Sequence, residues 1–429
     1  MISPRARSAT DPDGALAGRG RAGRVASRIA MGIVLAAASF AAAELVVRML
    51  GSVDPNGEFR IAGRVLRPRR LPLADIERRL AQDVSLPDSF VVYDPDLGWS
   101  LRPDATSADG LFHTSALGIR AAADAGSTPP PTSVRIALLG DSFCFGDEVA
   151  FADTWGRMLE TRLRERGLAA EVLNFGVNGY GMDQALLRWR KSGRDTRPAI
   201  VVLGFQPENL LRNVNVFRPI YFPETGVPLS KPRFVLEGDQ LVPVNLPALS
   251  PAEVGRALAD LAHQPLVAYE PAYRFYADHW WLRSRLVALV EELVDPPEIE
   301  AQFRHDPQIA RLGARIVADL AADVRAHGAG LVIVHLPRRA DLEDIVAGRE
   351  LWYGGLLRSF DHDYRVAHPE AGLTSVPETF FLPRGHYSRE LNAVVAGRLA
   401  STVLDLWCAS QGGSAPGAAC SAEPGRDAR

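Results

Sequence analysis

The sequence has few cysteines and almost no net charge, and each shortage excludes a class of protein. Its 429 residues include only three cysteines, Cys144, Cys408 and Cys420, which are too few for a disulfide scaffold and lack the spacing of a zinc site. The 48 Lys and Arg residues nearly balance the 51 Asp and Glu residues, and no long basic stripe carries interleaved aromatics. Nucleic acid is therefore not an expected partner. The cysteine count leaves the redox compartment open.

A basic flank precedes an apolar run near the amino terminus. The 19 residues 29–47 are interrupted only by Glu44, and as a helix they would extend about 28 Å, close to the ~30 Å of bilayer hydrocarbon. Six arginines precede the run and only Arg48 closely follows it, so the positive-inside rule predicts a cytoplasmic amino terminus. We predict a cytoplasmic segment 1–28 and a single-pass anchor 29–50 in a bacterial inner membrane, with the rest facing the periplasm or the outside. A cleaved signal peptide, for which "AAAE" offers a site, and a buried core helix are the alternatives.

The composition changes again on either side of the expected globular domain. Residues 51–88 are charged and Arg-rich and contain the short amphipathic stretch "LADIERRLAQD", so we predict a stalk or linker. Residues 410–429 are small, polar and punctuated by Pro and Gly, which indicates a disordered tail. The domain itself is expected at 89–409.

Short apolar runs alternate with helical patterns inside that domain. The stretches "VRIALLG", "EVLNFG", "AIVVLGF" and "GLVIVHLP" predict strands, and amphipathic stretches between and after them predict helices. An insertion at 218–307 breaks the alternation after the third strand, and we predict a hairpin in "PRFVLEGDQLVPVNLP" and an amphipathic helix in "YRFYADHWWLRSRLVALVEELV". Strands this apolar are covered on both faces. We predict an α/β domain with a parallel sheet of about five strands and helices on both sides.

Polar and glycine-rich motifs follow the predicted strands. Gly140-Asp141-Ser142 follows the first, "NFGVNGYG" the second and "GFQPEN" the third, while "RGHYS" with His386 comes far downstream. In parallel sheets ligands bind at the carboxyl ends of the strands, where such loops meet. A serine and a histidine are the minimum for nucleophilic catalysis, because a neutral imidazole takes the serine proton during attack. Glycine N–H groups and a side-chain amide would supply an oxyanion hole.

In this order the motifs resemble those of the SGNH (GDSL-like) hydrolases, in particular the membrane-anchored branch, over most of residues 134–407. The resemblance implies a three-layer, flavodoxin-like fold with Ser142 as the nucleophile and His386 as the base. It implies oxyanion donors at the backbone N–H of Ser142, at Gly179 and at Asn209. "GFQPENL" departs from the family's Gly-aromatic-x-x-Gly-Asn-Asp by having Glu208 and Leu210, and Gln206 could supply the amide instead.

The clearest departure from the family lies just before His386. Arg384 and Pro383 occupy the positions where the family places the Asp that orients the imidazole, and a fixed cation cannot do this. We therefore predict a Ser142–His386 dyad, assisted by a backbone carbonyl or by an acid from elsewhere. Three candidates for that acid are Glu378, Glu208 and Asp363.

Each of these residues also has a plainer interpretation. Ser142 could cap a helix, Gly179 could serve a turn that needs positive φ, and Asn209 could order its loop. His386 could cap the last helix. Asp141 fits a loop-ordering role better than a catalytic one.

The resemblance implies a membrane-anchored, extracytoplasmic serine esterase or O-acyltransferase. Its expected substrate is an acylated carbohydrate, with ester-linked O-acetyl groups on an envelope or exported polysaccharide, and it needs no metal or organic cofactor. The alternative is a catalytically impaired protein of the same fold that binds glycan during polysaccharide assembly or export. In that case Arg384 would hold an anionic sugar.

Overall fold

The computed structural model describes residues 12–84, 89–123, 134–411 and 420, and for 12–24, 83–84, 299 and 305 the backbone alone. The chain divides into two compact units. The smaller consists of Met1–Arg70 and Phe275–Asp295, and the larger of Leu71–Arg274 and Pro296–Arg429. Most of the predicted tail and the first 11 residues lie outside the described residues.

A seven-stranded sheet forms the centre of the larger unit. Its strands are β1 (His113–Thr114), β2 (Arg120–Ala121), β3 (Val134–Leu139), β4 (Ala170–Asn174), β5 (Ile200–Phe205), β6 (Gly330–His335) and β7 (Arg365–Ala367). The five parallel strands lie in the order β7-β6-β5-β3-β4, and the antiparallel pair β2-β1 extends the β4 edge. Along the chain the parallel strands thus follow the order 2-1-3-4-5, which is the flavodoxin-like arrangement that we expected.

Helices cover both faces of the sheet because its central strands are apolar on both sides. Ala137 and Leu139 of β3 face one layer, whereas Ile136 and Leu138 face the other. The first layer contains the helices Met182–Arg188, Pro307–Ala326 and Gly354–Asp363, and the second contains Trp155–Glu165 and Arg389–Ser410. The predicted α/β class with three layers is confirmed.

The strand order determines where a cleft can form. The chain leaves β3 for β4 on one side and then crosses to β5 on the other, so β3 lies at the switch in strand order. The loops that follow β3 and β5 therefore diverge at the carboxyl edge. Ser142 follows β3 and Asn209 follows β5 at this edge.

Several elements differ from the sequence-based expectations. Strands β1, β2 and β7 and the hairpin of Val91–Asp94 with Gly98–Leu101 are too short to show a periodic pattern. The helix predicted over "YRFYADHWWLRSRLVALVEELV" begins only at Arg285, because the Ser284 side chain accepts a hydrogen bond from the Val287 N–H and caps it there.

The insertion after β5 contains the predicted hairpin, formed by Arg233–Glu237 and Gln240–Val244. The helix Leu73–Arg79 belongs to this larger unit, although its sequence lies in the predicted linker. The other short α-helices of the unit are Ser142–Phe145, Asn209–Arg212, Arg218–Tyr221, Pro251–Ala259, Ile299–His305 and Arg339–Val346.

The smaller unit is built on the long helix Pro12–Leu50. Three short strands, Ser52–Val53, Phe59–Ile61 and Arg64–Val65, form an antiparallel sheet after it, and the helix Arg285–Val294 packs beside it. Residues 51–70 of the predicted stalk are thus folded and not a free spacer, because their apolar side chains have a core to enter. That core consists of Val47, Phe59, Leu66, Leu282 and Ala288.

Two helices are long and apolar enough to cross a membrane, Val25–Leu50 and Arg389–Ser410. The second is partly buried against the sheet, which is the position of a core helix. Val25–Leu50 has none of its apolar window buried, and it contains the predicted anchor. Length and composition alone are equally compatible with a signal sequence at this position.

Candidate active site

The motif Gly140-Asp141-Ser142 forms a tight turn at the carboxyl end of β3. The Asp141 carboxylate accepts a hydrogen bond of 2.9 Å from the Phe143 N–H and caps the four-residue helix Ser142–Phe145. Ser142 is the first residue of this helix and is 7% exposed. A serine hydroxyl is thereby held at the sheet edge with little access to bulk water.

The segment before the last helix carries His386 to the same place. A backbone hydrogen bond of 2.8 Å from the Leu382 N–H to the His386 carbonyl closes its turn, and the Phe143 ring lies 5.1 Å from the imidazole. The Nε2 atom of His386 is 2.9 Å from the Oγ of Ser142. With Nδ1 protonated, Nε2 is the acceptor and the serine hydroxyl is the donor. The structure therefore brings the two sequence-predicted residues into a nucleophile–base contact.

A third residue, Glu148, completes this arrangement. Its Oε2 atom accepts a hydrogen bond of 2.7 Å from Nδ1 of His386 and another of 3.3 Å from the backbone N–H of the same residue, while Oε1 accepts one of 3.0 Å from the Arg384 N–H. Burial raises the pKa of Glu148, but these hydrogen bonds outweigh it and hold the pKa below its usual value. The carboxylate can thus fix the imidazole orientation and stabilise its protonated form.

Glu148 is an acid from elsewhere in the chain, as the assisted dyad allowed, but it is none of the three candidates, and it also explains the position of Arg384. The Arg384 guanidinium donates a hydrogen bond of 3.1 Å to Asp147, so this cation braces the acidic pair next to the imidazole. Glu148 was not among the acids predicted from the sequence, because it lies six residues after Ser142 and not just before the histidine, where the family places its acid. Its signal was the pair Asp-Glu directly after "GDSFCFG". In the described chain His386 bonds to none of the three acids considered from sequence, Glu378, Glu208 and Asp363.

Two backbone N–H groups, those of Ser142 and Gly179, are predicted from the sequence to be oxyanion donors. Within the described residues, neither the Ser142 N–H nor the Gly179 N–H donates a hydrogen bond to the protein. Gly179 has φ +81°, and a Cβ atom there would lie 2.5 Å from the Arg218 guanidinium. Gly176 approaches so closely that a Cβ would lie 2.5 Å from the Phe145 N, which brings this loop against the nucleophile turn. The positive φ therefore favours glycine at position 179, and the backbone contact requires glycine at position 176.

Asn209 lies behind the nucleophile turn, and its amide already has partners. Its Nδ2 donates to the Asp141 carboxylate at 2.9 Å and to the Tyr180 carbonyl at 3.1 Å, while its Oδ1 accepts from the Gln206 N–H at 3.2 Å. An amide nitrogen has two hydrogens, so both are used. These bonds favour a positioning role for Asn209, and its role as an oxyanion donor stays a prediction.

A buried network of charged side chains also contacts the Gly140-Asp141-Ser142 turn through Asp141. Arg212 donates to Asp141 at 2.7 Å and to Glu208 at 2.9 Å, and the Tyr221 hydroxyl donates to the other Glu208 oxygen. Burial alone would lower the pKa of Arg212, but the carboxylates of Glu208 and Asp141 raise it by more. The net pKa of Arg212 is therefore above its usual value. Burial also lowers the pKa of the neighbouring Arg218 to about 10, with Arg212 adding to the effect. Glu208, one of the acids considered from sequence, is thus committed to Arg212 and Tyr221.

One group of side chains in the described chain has the composition of a metal site. Donor atoms of His335, His368 and Glu370 lie within 4.8 Å of one another. Both imidazoles bond the same Glu370 oxygen at 2.8 Å, and the second nitrogen of each bonds Tyr353 or Asp361. Burial raises the pKa of Glu370, but the two imidazoles outweigh it and bring the pKa to about 2. The ring nitrogens are thus satisfied by neighbouring side chains, as expected for a structural network.

No protein-family model and no curated protein matches the chain by sequence. Among solved structures it is similar to TesA, with 13% identity over 63% of this chain and 99% of that one and a TM-score of 0.32. It is also similar to a putative lipolytic protein of the G-D-S-L family from Desulfitobacterium hafniense DCB-2, with 11% identity, coverage of 63% and 99%, and a TM-score of 0.31. A catalytic mutant of Axe2, an acetylxylan esterase from Geobacillus stearothermophilus, gives 10% identity, coverage of 64% and 96%, and a TM-score of 0.32.

Proposed function

We propose that the protein is a membrane-anchored, extracytoplasmic serine esterase or O-acyltransferase. The observation that carries this proposal is the hydrogen-bonded chain from Ser142 through His386 to Glu148. A hydroxyl on a base that is itself oriented by an acid is the arrangement of an activated nucleophile.

The chemistry follows from these contacts. Ser142 Oγ attacks the ester carbonyl while its proton passes to Nε2 of His386, and the N–H groups of Ser142 and Gly179 hold the resulting oxyanion. Collapse expels the alcohol, which takes the proton from His386, and leaves an acyl group on Ser142. Water or a sugar hydroxyl then attacks this acyl-serine with His386 as the base. Water gives hydrolysis and a hydroxyl gives transfer.

The location and the substrate are argued from the rest of the chain. Val25–Leu50 is an apolar helix, and its end is packed into the core of the smaller unit through Val47, which favours a retained anchor over a cleaved signal peptide. Cys408 and Cys420 form a disulfide, and such bonds persist in oxidising compartments such as the periplasm. An anchored enzyme in that compartment meets envelope and exported polysaccharides, so we propose their O-acetyl esters as the substrate class.

The test uses the full-length protein in detergent with p-nitrophenyl acetate. Ser142→Ala should lower kcat by at least about 10³-fold, because removal of the nucleophile leaves only oxyanion and binding effects. Ser401→Ala changes an exposed serine of the last helix and is the matched control. A fluorophosphonate probe should label Ser142, as mapped by mass spectrometry. Equal rates for Ser142→Ala and the unchanged protein, or a label on another residue, would rule out the catalytic proposal.

A second assay separates hydrolysis from transfer. The acyl-enzyme is formed from p-nitrophenyl acetate in the presence of a de-O-acetylated polysaccharide, and the acetylated product is quantified against released acetate. The alternative of a binding-only protein rested on the missing acid before His386 and on a free Arg384. The contact of Glu148 with His386 and the pairing of Arg384 with Asp147 argue against it. We therefore do not put forward a second function.

A further inference from the structure

One side of the helix Arg285–Val294 in the smaller unit is apolar and exposed. Val290, Leu293 and Val294 are 50%, 59% and 69% exposed, whereas Ala288 on the opposite side is buried in the core. At 3.6 residues per turn these three side chains share one face, and the charged residues of the helix lie elsewhere. A face of this kind needs an apolar environment.

The first turn of this helix is tied to the long apolar helix through Glu44. The Glu44 carboxylate accepts hydrogen bonds from the Ser284 hydroxyl at 2.8 Å, from the Arg285 N–H at 3.0 Å and from the Leu286 N–H at 2.8 Å. The Arg48 guanidinium donates to the Arg283 carbonyl at 2.7 Å. These bonds fix the start of the helix Arg285–Val294 at the level of Glu44.

That level lies close to the outer edge of the predicted membrane span. Glu44 precedes Leu50 by six residues, or about 9 Å along a helix axis, and apolar side chains around it are exposed. A carboxylate at such a depth is costly unless it has partners. Apart from Arg48, the partners that bond Glu44 all come from Ser284–Leu286. The segment must therefore enter the membrane surface together with the carboxylate.

Two exposed tryptophans lie in the turn just before this helix. Trp280 is 75% exposed and Trp281 is 38% exposed, and the Trp281 indole N–H donates a hydrogen bond of 2.8 Å to Glu291 on the neighbouring helix. Tryptophan is enriched where membranes meet water, because its ring is apolar and its N–H is polar. Exposed indoles beside an apolar helix face are thus matched to the boundary between headgroups and acyl chains.

We propose that Phe275–Asp295 is a membrane-surface element that lies in the leaflet from which Val25–Leu50 emerges. Trp280 and the face with Val290, Leu293 and Val294 are buried among the lipids, in the manner of an interfacial amphipathic helix. The occupant of the apolar face is therefore lipid and not a protein. This inference goes beyond the ester chemistry and rests on the proposed anchor.

The test places a nitroxide spin label on the full-length protein in phospholipid vesicles. Introduced cysteines can be labelled selectively, because Cys144 is buried and Cys408 is joined to Cys420. Val290→Cys and Leu293→Cys report on the face, Val34→Cys reports on the anchor, and Asn56→Cys is the control at an exposed polar position of the same unit. Oxygen, which concentrates in lipid, should relax the first three labels more strongly than a water-soluble nickel complex, and the order should reverse at residue 56.

The outcomes separate this proposal from the others. A water-accessible label at residues 290 and 293 together with a lipid-exposed label at 34 would overturn the interfacial element and leave the anchor intact. Water accessibility at 34 would overturn both. Dipolar broadening between labels at 290 would show that a second copy covers the face, which also overturns the proposal. Esterase rates measured in the same vesicles test the proposed function independently of every label position.

Discussion

Glu148 reaches His386 from a backbone conformation that few residues with a side chain adopt. Its φ is +67°, in the left-handed region, where a non-glycine residue is uncommon. Such a conformation persists when its surroundings fix it, and here the N–H groups of Arg384 and His386 both bond the carboxylate. The strained residue and its partners are the groups that orient the proposed base.

We predict that Glu148→Gln lowers kcat by about 10³- to 10⁴-fold with little change in KM. The amide carries no negative charge to stabilise the protonated imidazole, and its NH2 group can donate to Nδ1 and favour the tautomer that cannot accept the serine proton. Steady-state kinetics with p-nitrophenyl acetate measure both constants.

The matched control is Asp147→Asn, next in the chain. Asp147 lies 3.9 Å from Nε2 of His386 and bonds Arg384 and Asn178, so a smaller loss is expected. A larger loss for Asp147→Asn than for Glu148→Gln would assign the orienting acid to Asp147.

We predict that Asn209→Ala affects stability more than chemistry. Its amide bonds the buried Asp141, and loss of that donor should lower the free energy of unfolding by about 1–3 kcal/mol, as measured by urea denaturation. The kcat per folded molecule should fall less than tenfold. A loss of 10²- to 10³-fold in kcat with unchanged stability, the size reported for a missing oxyanion donor, would instead support the oxyanion role.

Most of the candidate site could be predicted from the sequence, but Glu148 could not, for a physical reason. Ser142, Gly179 and His386 follow predicted strands or precede a predicted helix, so topology alone places them at one sheet edge. Glu148 lies in an irregular turn after Gly146, and the direction of its side chain depends on a positive φ that no periodic pattern reveals. The sequence placed Asn209 correctly in the loop after β5. Its hydrogen-bond partners could not be predicted, because they come from several distant segments.

At the scale of elements, the length of a strand determined whether it could be predicted from the sequence. The strands β3, β4, β5 and β6 have five or six residues each and are mostly apolar, and all four were expected. β1, β2 and β7 have two or three residues and are defined by pairing with a neighbour. Pairing between distant segments is tertiary information, which a local pattern does not contain.

We expect His368, in the loop after β7, to make the free energy of unfolding decrease as the pH becomes alkaline. A hydrogen bond to Glu370 raises the pKa of His368 to about 9, against burial and with help from Asp361. Because the folded pKa is higher than the ordinary 6.5, the stabilisation is complete below pH 6.5 and is lost as the pH rises through about 9. We predict a decrease of about 3 kcal/mol in the free energy of unfolding over that interval, measured by denaturant titration.

His368→Gln is the control for this pH dependence. Glutamine keeps a hydrogen-bonding side chain but does not titrate, so the variant should be less stable at pH 6.5 and lose little more by pH 9. An unchanged slope in the variant would assign the effect to other groups.

At the scale of the whole molecule, the contacts at the end of the apolar helix lead us to predict a retained anchor and not a cleaved signal peptide. Glu44 and Val47 are both engaged with the segment from Ser284 to Ala288, so cleavage after Ala43 would leave that contact at a free amino terminus. We predict that the chain stays in the membrane pellet after alkaline carbonate extraction and that its intact mass includes Val25–Leu50. A soluble chain that begins at Glu44 would contradict this.

The position of Glu148 also has a consequence for biosynthesis. Nucleophile and acid lie within the seven residues 142–148, but the histidine is 244 residues beyond the serine. During translation Ser142 and Glu148 are therefore synthesised early. His386 follows only when the segment before the final helix emerges from the ribosome. In the proposed enzyme Ser142 has no proton acceptor until that segment docks, so the growing polypeptide has no esterase activity before its fold is complete.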